Sequence, residues 1–166
     1  MNRHWTPIDE RGFTLIEVLI TIIILGIVLT IASSSWIGAI ESRRVDDGTN
    51  RLTADLRQAH SRAINRLAPQ TVTLTSGSSK YVFGPTSSSC SATPGNPGCV
   101  KRDLDDFPDA GDDLVVVKIA GTITFNSNGS ATVTGANPIT VESSKDTTKN
   151  HTIAVTATTS EIRVVP

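Results

Sequence analysis

The sequence predicts an α+β protein in which a long hydrophobic N-terminal α-helix packs on a small antiparallel β-sandwich-like head. Three observations lead to this prediction. An almost uncharged apolar run covers residues 13–40, apolar residues at helical spacing continue to residue 67, and short alternating runs fill the rest of the chain. With 166 residues, the chain can form one domain and an appendage. We expect four segments: a polar N-terminal segment at 1–12, the apolar half of the helix at 13–40, its amphipathic half at 41–68, and the β-rich head at 69–166.

The composition excludes several classes of protein. Lys and Arg number 15 and Asp and Glu number 16, so a net charge of −1 does not favour binding to nucleic acid or to an anionic membrane surface. Hydrophobic residues make up 38% of the chain and aromatic residues 4%, which argues against a multidomain enzyme and a polytopic membrane protein. A single-span protein with a modest β domain fits these values.

The run from Phe13 to Ile40 carries one charge, on Glu17. About 20 apolar residues are enough to cross a bilayer, so we expect one N-terminal transmembrane helix. The alternative is a signal peptide or an ordinary signal anchor, but a secretory signal has its cleavage site after the apolar run, whereas Arg11-Gly12 precedes it. An acidic residue at the bilayer centre costs about 2.5–3.5 kcal/mol and less near an end, which indicates that Glu17 has a partner.

The residues at this point resemble a known family. The stretch 11–20, RGFTLIEVLI, is similar to the class III signal of type IV pilins and type II secretion pseudopilins. The resemblance implies that a prepilin peptidase removes the leader 1–12 by cutting between Gly12 and Phe13, and that Phe13 becomes N-methylated. It also implies that Glu17 acts in assembly, by pairing with the N-terminal ammonium of a neighbouring subunit in the filament core. Such pairing of buried charges would set the register of the subunits.

The same resemblance implies partners and a location. We expect contacts with other pilins or pseudopilins through the N-terminal helix, processing by prepilin peptidase, and assembly on an inner-membrane platform. The precursor would be a single-pass protein of the inner (cytoplasmic) membrane with its head outside the cytoplasm. The mature chain would then enter a pilus or pseudopilus, and no cofactor or metal is expected.

Helical periodicity continues beyond Ile40 and ends at Pro69, which cannot continue a helix. One amphipathic stripe is predicted, made of Val45, Leu52, Leu56, Ala59, Ala63 and Leu67. Gly26 and Gly48 each cost about 1 kcal/mol relative to alanine inside a helix, and melting around 26–35 in a filament stays open. The rear half has six arginines and four acidic residues, so a solvated or salt-bridged face is favoured over contact with nucleic acid.

Beyond Pro69 the chain is rich in Thr, Ser, Val, Gly and Asn, and turn formers separate short alternating runs. The predicted strands are Thr71–Thr75, Lys80–Phe83, Leu114–Ile119, Thr122–Asn126, Ser130–Thr134, Ile139–Glu142, Thr152–Ala157 and Glu161–Val165. This pattern favours antiparallel sheets packed on the helix stripe. The pattern from Gly121 to Val164 is similar to the head of the GspH/FimT group of minor pseudopilins, which implies a minor subunit.

An irregular segment is expected from Gly84 to Asp113. It contains both cysteines of the chain, Cys90 and Cys99, and their proximity fits one disulfide in an oxidising compartment better than a zinc site. An acidic run follows. A solvated acidic loop is favoured over a calcium site, because the spacing of the acids does not match an EF-hand; they are Asp103, Asp105, Asp106, Asp109, Asp112 and Asp113.

The sequence does not favour an enzyme. His4, His60 and His151 lie in no pattern typical of a catalytic triad, and no phosphate-binding glycine motif occurs. The alternative function is that of a DNA-binding minor pilin in a DNA-uptake (competence) pilus. Some FimT-type minor pilins bind DNA through Gly-Arg-x-Arg near the C-terminus, whereas this chain has Arg163 and a nearby Glu161 there. From residue 67 onward the head has seven basic and nine acidic residues, and binding to phosphates needs clustered positive charge.

Overall fold

The computed structural model describes residues 12–86, 98–105, 114–135 and 137–165. Within these residues it contains one α-helix and nine β-strands. The chain divides into two compact units, Met1–Gly38 and Ala39–Pro166. The helix, α1, covers Leu15–Asn65 and therefore contributes to both units.

In the first unit, α1 presents apolar side chains on all of its sides. The stretch Leu15–Ala32 is long and apolar enough to cross a membrane, and none of it is buried within the protein. A single helix satisfies its backbone hydrogen bonds internally, which a segment surrounded by lipid requires. The front of α1 is therefore a candidate transmembrane helix.

The second unit contains two antiparallel sheets. Its described strands are β1 (Gln70–Leu74), β2 (Lys80–Pro85), β3 (Val100–Asp103), β4 (Val115–Val117), β5 (Gly121–Phe125), β6 (Ala131–Gly135), β7 (Ile139–Ser143), β8 (Asn150–Val155) and β9 (Ile162–Val165). One sheet has the order β3-β2-β1-β5-β6 and the other the order β4-β7-β8-β9. The α+β fold with a long helix and antiparallel sheets confirms the predicted fold class.

One hydrophobic core joins the rear of α1 to both sheets. The helix contributes five stripe residues that are at most 1% exposed, namely Val45, Leu52, Leu56, Ala59 and Ala63. Alternation places one face of each sheet in this core, where Phe83, Phe125 and Ile153 are fully buried. In β1 and β5 the threonines alternate with buried residues and so occupy the other face of the sheet, as the period of two predicts.

Leu67 does not belong to this stripe, contrary to the prediction. The last helical residue is Asn65, and the N–H of Ala68 bonds to the carbonyl of Ala63 at 3.2 Å while that of Leu67 bonds to Ile64 at 3.3 Å. These two bonds form a Schellman motif, whose residue after the helix adopts the left-handed conformation. Leu67 has φ +50° and is 79% exposed, because the helix ends before its side chain can reach the buried face.

A strand lies inside the segment Gly84–Asp113, which the sequence analysis predicted to be irregular. Strand β3 pairs antiparallel with β2, so that Lys80 faces Asp103 and Val82 faces Lys101. Three of the four β3 residues are charged, which hides the apolar alternation that identifies a strand. Charged residues are typical of an edge strand, and β3 is at the edge of its sheet.

Gly48 has a packing role that its helix propensity does not indicate. A Cβ atom at this position would lie 3.0 Å from Cγ1 of Val115 and 3.6 Å from Cβ of Leu104. The absence of a side chain therefore lets α1 and β4 approach closely. The cost of a glycine in the helix is offset by this contact.

A polar link that is buried at Asp55 and Tyr81 connects α1 to β2 and β3. The hydroxyl of Tyr81 donates to Oδ2 of Asp55 at 2.6 Å, and Nε of Arg102 lies 3.3 Å from the same oxygen. Burial, and then the bond to the Asp55 carboxylate, raises the pKa of Tyr81 far above its usual range. Arg51 extends the link by donating to the carbonyl of Asp103 at 3.1 Å.

We predict that Tyr81→Phe destabilises the head without altering its fold. The substitution removes a donor from the buried Asp55 carboxylate while keeping the ring, which should cost about 1–3 kcal/mol. Thermal unfolding of the full chain in detergent measures the loss. Thr73→Val, on the outer face of the neighbouring strand, is the control, and an equal melting temperature for Tyr81→Phe and the wild type would contradict the prediction.

Candidate functional site at the start of the helix

The first turn of α1 is capped by Thr14. Its hydroxyl accepts a hydrogen bond from the N–H of Glu17 at 3.3 Å, and its carbonyl accepts one from Val18 at 3.2 Å. Thr14 and Glu17 stand three residues apart, the spacing of a capping box. This cap was not predicted from the sequence, although the Thr-x-x-Glu pattern indicates it.

Gly12 and Phe13, the residues predicted to flank the cleaved bond, lie just before the capped turn. Both residues are exposed, and the side chain of Phe13 is 81% accessible. Neither belongs to the helix, which begins at Leu15. The bond between them therefore lies in an exposed segment outside the helix.

The carboxylate of Glu17 is exposed among apolar neighbours. Within the described part of the chain it has no hydrogen-bonding or ion-pairing side chain or backbone partner. Ile16 and Val18 on either side are 60% and 50% exposed. An acid in the first turn of a helix is favoured by the helix dipole, but the dipole does not neutralise it. The site therefore offers an unpaired negative charge at the start of an uncovered apolar helix.

The predicted disulfide between Cys90 and Cys99 stays a prediction. Cys90 lies outside the described residues, whereas Cys99 lies just before β3 and is half-buried. The site residues at the start of the helix are far from this loop in sequence.

Two of the six loop aspartates bond to the backbone of the loop itself. Oδ2 of Asp105 accepts the N–H of Leu114 at 2.8 Å and that of Val115 at 3.4 Å. Oδ1 of Asp103 accepts the N–H of Asp105 at 3.1 Å. The other four aspartates lie outside the described residues. Among the residues that the structure describes, no group of three His, Cys, Asp or Glu side chains could hold a metal ion.

The two described histidines contact other side chains of the second unit. Nε2 of His151 lies 2.5 Å from Oδ1 of Asp46, which links β8 to α1. The ring of His60 lies against that of Phe125, with the centroids 5.5 Å apart. His4 lies outside the described residues. Neither described histidine bonds to a serine or cysteine, so the described residues form no catalytic triad.

The C-terminal strand does not present the cationic surface that DNA binding requires. Nε of Arg163 lies 2.8 Å from Oε1 of Glu161, so its charge is locally compensated. Among the rear arginines of α1, Arg62 lies over the ring of Phe83 at 5.1 Å from its centroid. These contacts do not favour the DNA-binding alternative.

Comparisons with known proteins identify two regions of the chain. Residues 9–33 match the model of the prokaryotic N-terminal methylation motif, and residues 48–159 match that of the type II transport protein GspH. No curated protein matches the chain. A solved structure, the type IV minor pilin FimU of Pseudomonas aeruginosa, aligns over 73% of this chain and 92% of its own, with a TM-score of 0.49 and 15% identity.

We predict that Asp105→Ala destabilises the head by about 1–3 kcal/mol, because the N–H groups of Leu114 and Val115 lose a charged acceptor. Thermal unfolding of the full chain measures the change. Asp47→Ala, at an exposed position of α1, is the matched control and should stay within about 0.5 kcal/mol of the wild type. Equal losses for the two variants would contradict the structural role of Asp105.

Proposed function

Because the chain belongs to the type II transport protein GspH family and carries the N-terminal methylation motif, we propose that it is cut between Gly12 and Phe13 and assembled through α1. Membership of this family makes the chain a minor pilin or pseudopilin, a structural subunit of a type IV pilus or a type II secretion pseudopilus. The match to the GspH family supports this conclusion for the head, and the methylation motif supports it for the N-terminus.

The unpaired carboxylate on the uncovered apolar helix supports the assembly role. Cleavage after Gly12 creates an ammonium on Phe13, four residues before Glu17. An α-amino group has a pKa of about 7.7–8.0 in its free form, so the new terminus is largely charged at neutral pH. A neighbouring subunit then presents the opposite charge at the same end of its helix.

Pairing between subunits explains why one acid is kept in this segment. When α1 leaves the membrane, Leu15–Ala32 can be covered only by the same region of other subunits, since its own head buries none of it. Glu17 then lies among the apolar side chains of the neighbouring helices, and a buried ion is tolerated only when it is paired. The ammonium of one subunit and Glu17 of the next therefore fix how far the two helices are staggered.

We also propose the orientation of the precursor. The leader and Gly12 lie on the cytoplasmic side of the inner membrane, α1 crosses it once, and the head lies outside the cytoplasm. Prepilin peptidase, other pilins and an inner-membrane assembly platform are its partners. The family consists of structural subunits, and the chain needs no enzymatic activity for this role.

The processing proposal predicts that Gly12→Glu leaves the precursor uncut. A Cβ at Gly12 meets no atom within 4 Å, so the substitution acts on the peptidase and not on the fold of this chain. Intact-mass spectrometry of membranes should find the leader retained in Gly12→Glu and removed in the control, Gly12→Ala. A chain cut at the same bond in Gly12→Glu, or a wild-type chain that keeps its leader, would contradict the proposal.

The assembly proposal predicts that Glu17→Gln inserts normally into the membrane but enters filaments poorly. The amide keeps the capping geometry of the first turn and removes the charge, so the buried ammonium of the neighbour loses its partner. We expect about a tenfold or greater fall in the amount found in sheared filaments, relative to the membrane pool.

Two control variants separate the charge from other effects. Thr14→Ala removes the helix cap and keeps the charge, and Glu41→Gln removes a charge elsewhere on α1. Both should enter filaments at close to the wild-type amount. Normal incorporation of Glu17→Gln, or an equal loss for Glu41→Gln, would contradict the role of Glu17.

A further inference from the structure

Trp36 is a large side chain that the first unit leaves uncovered. It is 72% exposed, and it belongs to the same helix as the candidate transmembrane stretch Leu15–Ala32, four residues beyond the end of that stretch. Its indole ring is apolar, but the ring N–H is a hydrogen-bond donor. Water disfavours the exposed ring, and the middle of a bilayer disfavours the unbonded N–H. The boundary between lipid and water accommodates both parts of the side chain.

The charges of the chain place Trp36 where α1 passes from apolar to polar sequence. No Asp, Glu, Lys or Arg occurs between Glu17 and Glu41, and Trp36 stands five residues before Glu41. Tryptophan and tyrosine are enriched at this level of membrane-spanning helices, because their amphipathic rings lie among the lipid headgroups. The position of Trp36 along the helix therefore favours the same surrounding as its chemistry.

The spacing of Glu17 and Trp36 matches the thickness of a bilayer. The two residues are 19 positions apart within α1. At 1.5 Å per residue this separation is roughly 29 Å, and the hydrocarbon core of a bilayer is about 30 Å thick. When Trp36 lies at one boundary of the hydrocarbon, Glu17 therefore reaches the other boundary, where its carboxylate stays hydrated.

We propose that Trp36 binds the phospholipid headgroup layer and thereby fixes the depth of α1 in the membrane, with Glu17 held in the opposite headgroup layer. The indole N–H donates to headgroup oxygens or to water, while the ring packs on the upper part of the acyl chains. The inference rests on the proposed single-pass precursor and names the residue that positions its helix. In the proposed orientation, Trp36 lies in the outer leaflet and Glu17 at the cytoplasmic face.

This placement means that Glu17 needs a partner in one state of the chain and not in the other. In the membrane its carboxylate lies at the boundary, where charged residues are tolerated much better than at the bilayer centre. In a filament it lies among apolar helices, where only a paired ion is tolerated. The pairing that we propose for assembly is then required only when α1 leaves the bilayer.

The first test measures the depth of Trp36 in the full-length precursor. Trp5→Phe removes the only other tryptophan, and the chain is reconstituted at low density in vesicles of phosphatidylethanolamine and phosphatidylglycerol. Lipids brominated at different positions along the acyl chain quench a tryptophan that lies at the same depth. We expect the bromines nearest the headgroups to quench Trp36 most strongly. In the control, which carries Trp5→Phe, Trp36→Tyr and Leu25→Trp, the deepest bromines should quench most strongly.

Three results of this measurement would overturn the proposal. Strongest quenching of Trp36 by the deepest bromines would place it inside the hydrocarbon. Quenching by iodide in the water and by none of the brominated lipids would place it outside the bilayer. Protection from all of these quenchers that grows with the protein-to-lipid ratio would show that a second copy, and not lipid, covers Trp36.

The second test asks whether Trp36 positions the helix. The reporter Leu29→Trp, at an exposed position of α1, is placed in two chains that carry Trp5→Phe with either Trp36→Tyr or Trp36→Leu. Tyrosine keeps a ring with a polar group, so the reporter should keep a single depth. Leucine has no polar group to hold at the boundary, so strongest quenching of the reporter should shift to deeper bromines. Equal quenching profiles in the two chains would overturn the positioning role.

The outcomes distinguish this inference from the proposed function. If the precursor does not float with the vesicles in a density gradient, the proposed membrane-anchored precursor itself fails. If the precursor floats but Trp36 is deep or fully hydrated, only the role of Trp36 is overturned. A shallow Trp36 together with different depths for the tyrosine and leucine variants supports the proposal.

Discussion

The apolar surface of Leu15–Ala32 has no cover inside its own chain, and the rest of the molecule depends on that constraint. Such a surface is stable only in lipid or against similar helices. The first environment accounts for a membrane-anchored precursor, and the second for a subunit of a filament. In the assembly that we propose, Glu17 would make the second environment selective, because an apolar core accepts a carboxylate only when it arrives together with a positive partner.

The rear of the same helix follows a different rule. Here α1 is amphipathic, and its buried stripe forms one core with both sheets. Asp55 and Tyr81 add a buried hydrogen bond to this contact, and the exposed Arg102 pairs with the same carboxylate. Apolar packing supplies most of the stability. The polar link forms only when its partners are correctly placed, so it favours one register of β2 and β3 against α1. One helix thus combines a surface for other molecules with a surface for its own head.

Much of this fold was predictable from the sequence, because most of it follows from periodicity. The apolar run, the stripe from Val45 to Ala63 and eight strands were identified from their repeats. Strand β3 was missed because charges occupy its positions, and only its pairing with β2 makes it a strand. Leu67 was assigned to the wrong environment, since its spacing fits the stripe but the helix ends two residues earlier. The pairing of Cys90 with Cys99 and the role of Glu17 stay predictions.

What the sequence by itself determined is the class of the chain: an N-terminal methylation motif, an apolar helix with one acid, and a β-rich head. Local patterns encode these features, because helix and strand periods and the motif involve residues close along the chain. Only the tertiary structure decided how Gly48 lets α1 approach β4, and how the helix end exposes Leu67. These features depend on distances between residues far apart in sequence, or on where a helix stops, and neither quantity is contained in a local repeat.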